Sequence, residues 1–110
     1  MKTTPPQVLS DYFAAVNEGR MDDAAACFAS EARVHDESHD YVGPEAIRAW
    51  IEDTTLKYQP KTEVTRMEAA TDEGAFTATA TVSGTFPGSP VQLDYTFAVT
   101  DEKITLLSIQ

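Results

Sequence analysis

Basic residues are scarce in this chain. Eight Lys and Arg side chains stand against eighteen Asp and Glu, a formal charge of −10 over 110 residues. That balance repels phosphate backbones and anionic headgroups, so nucleic acid and membrane surfaces are excluded as expected partners. Cysteine is almost absent too. Cys27 is the only one, which leaves no intrachain disulfide; among Ala24, Ala25, Ala26 and Phe28 it reads as a small buried hydrophobe. No apolar run approaches the length of a bilayer span, and the first residues lack the basic region and apolar stretch of a signal peptide. A cytoplasmic protein is expected. Gly84 and Gly88 stand outside any phosphate-cradling pattern, and neither a nucleophile elbow nor a Walker sequence occurs, so no nucleotide cofactor is implied.

What is present suits one globular domain spanning 1–110. Hydrophobic residues make up 42% of the chain, enough for a single core, and there are no repeats, linkers or low-complexity segments. Thr4-Pro5-Pro6-Gln7 reads as a helix start, with Thr4 as N-cap and Gln7 closing a capping box. Val8, Leu9, Tyr12, Phe13 and Val16 then share a helical face, and Gly19 marks the stop. A short second helix from Met21 or Asp22 through Phe28 is predicted to carry Ala25 and Phe28 inward. Gly43-Pro44-Glu45 opens a third, with Ile47, Trp50, Ile51 and Thr54 at helical spacing and Pro60 beyond its end.

From Lys61 the residues favour strands. Phe76, Ala78, Ala80, Val82, Gly84 and Phe86 alternate with Thr77, Thr79, Thr81, Ser83 and Thr85, predicting one strand over 76–86. Pro87-Gly88-Ser89-Pro90 turns the chain into a second strand with Val91, Leu93, Tyr95, Phe97 and Val99 on one face. Asp101-Glu102 turns it again into a third, from Ile104 to Ile109. Helices followed by mainly antiparallel strands predict an α+β layout, helices on one sheet face. The other face, rich in threonine and weakly charged, is a candidate homodimer surface, with solvent as the alternative.

The stretch Ala32-Arg33-Val34-His35-Asp36-Glu37 carries the chemistry. Period-two alternation puts Asp36 on the face of Ala32 and Val34, which should look inward. A carboxylate closing an apolar stripe either pairs or sits in a pocket that raises its pKa toward the range of a general base. The alternative is that Asp36 has left the strand and opens a solvated loop, Glu37-Ser38-His39-Asp40. His35, Asp36, Glu37, His39 and Asp40 crowd together, yet a strand sends His35 away from Asp36; the expectation is a polar loop and no metal.

The order of elements, with the phrases DYFAAVNEGRMDDAAACFA, ARVHDES and GPEAIRAWI, resembles the nuclear transport factor 2 superfamily, in its ketosteroid-isomerase-like and SnoaL-like cyclase branch. The resemblance implies a cone in which helices and a strongly bent, mainly antiparallel sheet enclose a hydrophobic pocket, and a convex face that dimerises. It implies proton abstraction next to a carbonyl of an apolar, steroid- or polyketide-like substrate, without metal or organic cofactor. Matched without gaps, Asp36 falls on the family's base and Tyr12 on its oxyanion tyrosine. Asp94 falls on the family's oxyanion aspartic acid, but alternation turns it away from Leu93, Tyr95 and Phe97, and Ile51 stands where family members carry a supporting tyrosine. Trp50, Phe76, Tyr95 and Phe97 are the candidate ligand-binding aromatics. Non-catalytic binding of a hydrophobic ligand, or a dimerisation module, remains the competing reading, and Tyr12 as an ordinary core residue belongs to it.

Overall fold

A computed structural model describes residues 6–36, 38–69 and 74–109. Helices α1 (Gln7–Asn17) and α2 (Met21–Ala26) lead into strand β1 (Phe28–Asp36) and β2 (His39–Val42). Helix α3 (Pro44–Tyr58) follows, and then β3 (Lys61–Ala69), β4 (Ala75–Ser83), β5 (Val91–Thr100) and β6 (Lys103–Ile109). The strands form one sheet in the order β2-β1-β6-β5-β4-β3. β1 and β6 run parallel and every other neighbouring pair is antiparallel. This is the expected α+β architecture, with bulge-like register shifts in β3 and between β5 and β6 that bend the sheet around the helices.

The inner sheet face follows from pairing. Phe76 lies opposite Phe97, Ala78 opposite Tyr95, Ala80 opposite Leu93 and Val82 opposite Val91, so side chains of the same period-two set meet across β4 and β5. The core formed there takes Leu9, Tyr12 and Phe13 from α1 and Ile47, Trp50 and Ile51 from α3. It also takes Ala32, Val34, Ile104 and Leu107 from the central strands. Phe13 meets Phe97 and Tyr95 edge-on at 5.8 and 5.3 Å between ring centres. Asn17, at the end of α1, ties the helix to β3: its Nδ2 donates to the Thr62 carbonyl at 2.7 Å and its Oδ1 accepts from the Thr62 amide at 2.6 Å.

Several boundaries differ from the sequence reading. Thr4 and Pro5 lie outside the described residues; α1 has Pro6 at its N-cap without a side-chain cap, and Gln7 donates forward to Asp11 at 3.1 Å. The second helix ends at Ala26, buries Ala24 in place of Ala25, and hands Phe28 to β1, because the Cys27 amide closes the last helical turn on Ala24 and the Ile104 amide bonds the Cys27 carbonyl. β1 therefore starts four residues before Ala32. His39 and Asp40, expected in a loop, belong to β2, which pairs His35 with Asp40 and Asp36 with His39. The strand predicted over 76–86 stops at Ser83. Beyond it the Gly84 amide turns to the Ser89 hydroxyl, and Thr85 donates its amide and hydroxyl to the last carbonyls of α3, at Tyr58 and Lys57. Gly84 is required there: a Cβ would collide with the Tyr58 carbonyl oxygen.

Candidate functional site

Asp36 is the last residue of β1 and is half-buried. It shares its face with Ala32 and Val34, both fully buried, as alternation demands. From across the fold, the Trp50 indole donates Nε1–H to Asp36 Oδ2 at 3.1 Å. Trp50 comes from the inward face of α3 and is itself flanked by Tyr41 of β2, 6.0 Å between ring centres. The carboxylate is thus held at the inner face by a donor that keeps its ionised form hydrogen-bonded.

Asp36 opens into a cavity of about 800 Å³. Its wall includes Tyr12, Trp50, Tyr58, Phe86 and Tyr95, together with the aliphatic Ile51, Val82, Val91 and Leu93. This is the size and character of a site for a drug-sized organic molecule. Both core-facing phenols stay protonated at neutral pH. Burial pushes Tyr12 well above the usual tyrosine pKa, with Tyr95, Asp36 and Cys27 adding to the rise. Burial likewise lifts Tyr95 to about 12, against a hydrogen bond from Thr62 that lowers it, with Asp36 raising it further. A protonated phenol can donate a hydrogen bond to an oxygen that becomes negative.

Of the residues singled out in the sequence, Asp36, Tyr12, Trp50 and Tyr95 come together around this cavity. Phe76 and Phe97, expected as ligand-binding residues, are not among its lining residues. They oppose each other at the end of β4 and β5 that α1 covers, where Phe97 is fully buried and Phe76 nearly so. Alternation selected the right face and could not say which part of it a helix would seal. Asp94 is exposed on the outer face, where it accepts from Thr79 Oγ1 at 3.3 Å, so the family's trio is not assembled. His35 also lines the cavity, and its Nδ1 lies 2.8 Å from Asp40 Oδ1. Among the described residues, no three His, Cys, Asp or Glu side chains gather as a metal site. Glu37 lies outside the described residues.

Tyr58, a wall residue that the sequence analysis did not single out, extends the stripe of Ile47, Ile51 and Thr54 by one more turn, so helical spacing already contained it. Phe86, placed by alternation on the face of Val82, reaches the wall from the turn after β4, packed edge-on against Tyr58 at 5.7 Å.

Residues 9–107 match the SnoaL-like domain. The chain belongs to that family. Its fold superimposes on a candidate polyketide cyclase from Sinorhizobium meliloti with a TM-score of 0.91 at 33% identity, over 96% of this chain and 95% of that one. A ketosteroid-isomerase-like protein of Catenulispora acidiphila, solved with trimethylamine, gives a TM-score of 0.83 at 19% identity, over 97% of this chain and 86% of that one. The epoxide hydrolase/cyclase-like enzyme SalBIII, of pyran ring formation in the polyether salinomycin, gives 0.79 at 19%, over 94% and 86% of the two chains. No curated protein matches this SnoaL-like domain in sequence. Among the described residues no helix is long and apolar enough to cross a membrane.

Proposed function

We propose that this SnoaL-like domain is an acid–base catalyst that moves a proton from the carbon next to a carbonyl of an apolar small molecule. Asp36 takes the proton as its carboxylate; the electrons of the broken C–H bond pass into the carbonyl, and the oxygen becomes an enolate. Tyr12 donates a hydrogen bond to that oxygen, and Tyr95 is the second phenol available for the same task. The protonated Asp36 then returns its proton at the far carbon of the extended enolate, which is a double-bond shift, or the enolate carbon attacks a second carbonyl in the same molecule, closing a ring, and the alkoxide so formed takes the proton back from Asp36. Neither course needs a metal or organic cofactor.

The observation that carries this reading is that one carboxylate and two protonated phenols line a single, largely apolar cavity. Preorganised donors stabilise a developing charge most where the surroundings are apolar. Apolar β,γ-unsaturated ketones are the test substrates. Wild type should convert some of them, and Asp36→Asn should lose roughly 10²-fold or more in kcat. Wild-type protein inert toward the whole panel, with no exchange of α-hydrogen for deuterium, would return the domain to ligand binding without turnover.

A further inference from the structure

The cavity has a charge signature separate from its acid–base chemistry. Among the described lining residues there is no Lys or Arg, and Asp36 is the one carboxylate. The imidazole of His35, the remaining ionisable side chain of the wall apart from the tyrosines, lies 2.8 Å from the Asp40 carboxylate. Five aromatic residues, Tyr12, Trp50, Tyr58, Phe86 and Tyr95, share the wall with that single negative charge. The chain as a whole carries −10, so the long-range field also favours cations at the mouth.

We infer that the cavity binds a hydrophobic organic cation, specifically a tertiary or quaternary alkylammonium group seated among the aromatic rings beside Asp36. Aromatic faces attract such a cation through their quadrupoles, and the carboxylate adds a full opposite charge at low effective dielectric. The state of Asp36 selects the kind of cation. Its Oδ2 already accepts from Trp50, so the site offers charge more readily than open lone pairs. A primary ammonium would arrive with three donors to satisfy, whereas a quaternary nitrogen has none and loses less hydration on entry. Anionic molecules meet the Asp36 carboxylate in a wall that, among the described lining residues, holds no Lys or Arg. A free carboxylic acid or a phosphate is therefore rejected by the site that accepts the ammonium. The inference stands on the charge and lining of the cavity and does not depend on turnover.

Trp50 is the only tryptophan in the chain, so its fluorescence reports occupancy directly. Benzyltrimethylammonium and its uncharged carbon isostere neopentylbenzene share one shape and separate charge from size, and phenylacetate, with a smaller planar head, supplies the opposite charge. Wild type should bind the cation roughly tenfold or more tightly than the isostere, and should not bind phenylacetate. Asp36→Asn, which keeps shape and removes charge, should abolish the preference for the cation and leave the isostere unchanged, with circular dichroism verifying the fold. Asp94→Asn removes an equal charge from the outer face and should leave the preference intact. Equal or weaker binding of the cation in wild type overturns the inference even if the Asp36 variant fails to fold, as does binding of neither probe. A preference that survives in folded Asp36→Asn overturns it too. Cation binding in a protein that turns over no ketone would sink the proton-transfer reading and leave this one standing.

Discussion

The two ends of the inner sheet face are built from the same strands and the same period-two pattern, yet one is core and the other is cavity. At the end under α1, Phe97 is fully buried against Tyr12 and Phe13, with ring centres 6.2 and 5.8 Å away. At the other end, Leu93 and Val91 of the same β5 are half-buried and face Tyr58 and Phe86 across open space. Both ends are equally apolar in sequence. What separates them is the filling: Tyr12 and Phe13 of α1 pack their rings on Phe97, whereas toward the far end α1 adds Val16 to the cavity wall and Asn17 to Thr62, and the last turn of α3 and the turn after β4 complete the boundary. A hydrophobic face thus reads as a pocket only where its cover stands away from it.

The sharpest way to break this comparison is to truncate one ring at each end. Phe97→Ala opens a hole in a packed core and should cost about 3 to 5 kcal/mol of stability. Phe86→Ala removes a half-buried ring beside space that is already there, and should cost about 1 kcal/mol or less while weakening ligand binding. Urea melts of the two variants measure this. Equal losses would mean that the far end is as tightly packed as the near one.

The contrast also shows how much of the molecule the sequence could convey. α1, α3 and the strands from Val91 and Ile104 were legible, since each repeats one apolar period over several turns or pairs. The placement of Asp36 beside Ala32 and Val34 followed from alternation alone. Hidden features depend on contacts between distant segments. β2 is short and polar and exists by pairing with β1; Phe97 is packed under the rings of α1; Phe86, though on the expected face, reaches the wall from a turn whose donors cap α3 and not from a strand. The Trp50–Asp36 bond joins residues fourteen positions apart, and neither the helical nor the strand period relates them.

Tyr95 lies at the border between the two ends, stacked on Phe97 at 6.1 Å and lining the cavity, and its ionisation sharpens the comparison. Its folded pKa of about 12 exceeds the ordinary tyrosine value near 10, so the folded state holds its proton where the unfolded chain has lost it. Stability from this source is fully present below pH 10 and falls as pH rises from 10 to 12. A two-unit shift corresponds to about 2 to 3 kcal/mol. Chemical melts across that range should show the decline, and Tyr95→Phe should flatten much of it, leaving the part due to Tyr12. A wild-type profile flat to pH 12 would mean that Tyr95 is wetter than its burial implies.

The smallest effect is expected on the opposite side of the sheet. There Thr77, Asp94 and Thr96 are exposed, and Leu106 is 37% exposed. We propose that this face pairs with a second copy, because a small domain with one side of its sheet uncovered gains by burying it. Sedimentation at micromolar concentration should give twice the chain mass; a monomer at that concentration would remove the pairing. Asp94 bonds Thr79 on this side, on the face opposite Tyr95 and Phe97, and a one-residue shift of β5 would be needed to bring it inward. Asp94→Asn should therefore change neither pocket affinity nor turnover measurably, in contrast to Asp36→Asn. A large loss of affinity in folded Asp94→Asn would mean that the register of β5 differs in solution, and that the inner and outer faces have exchanged their chemistry.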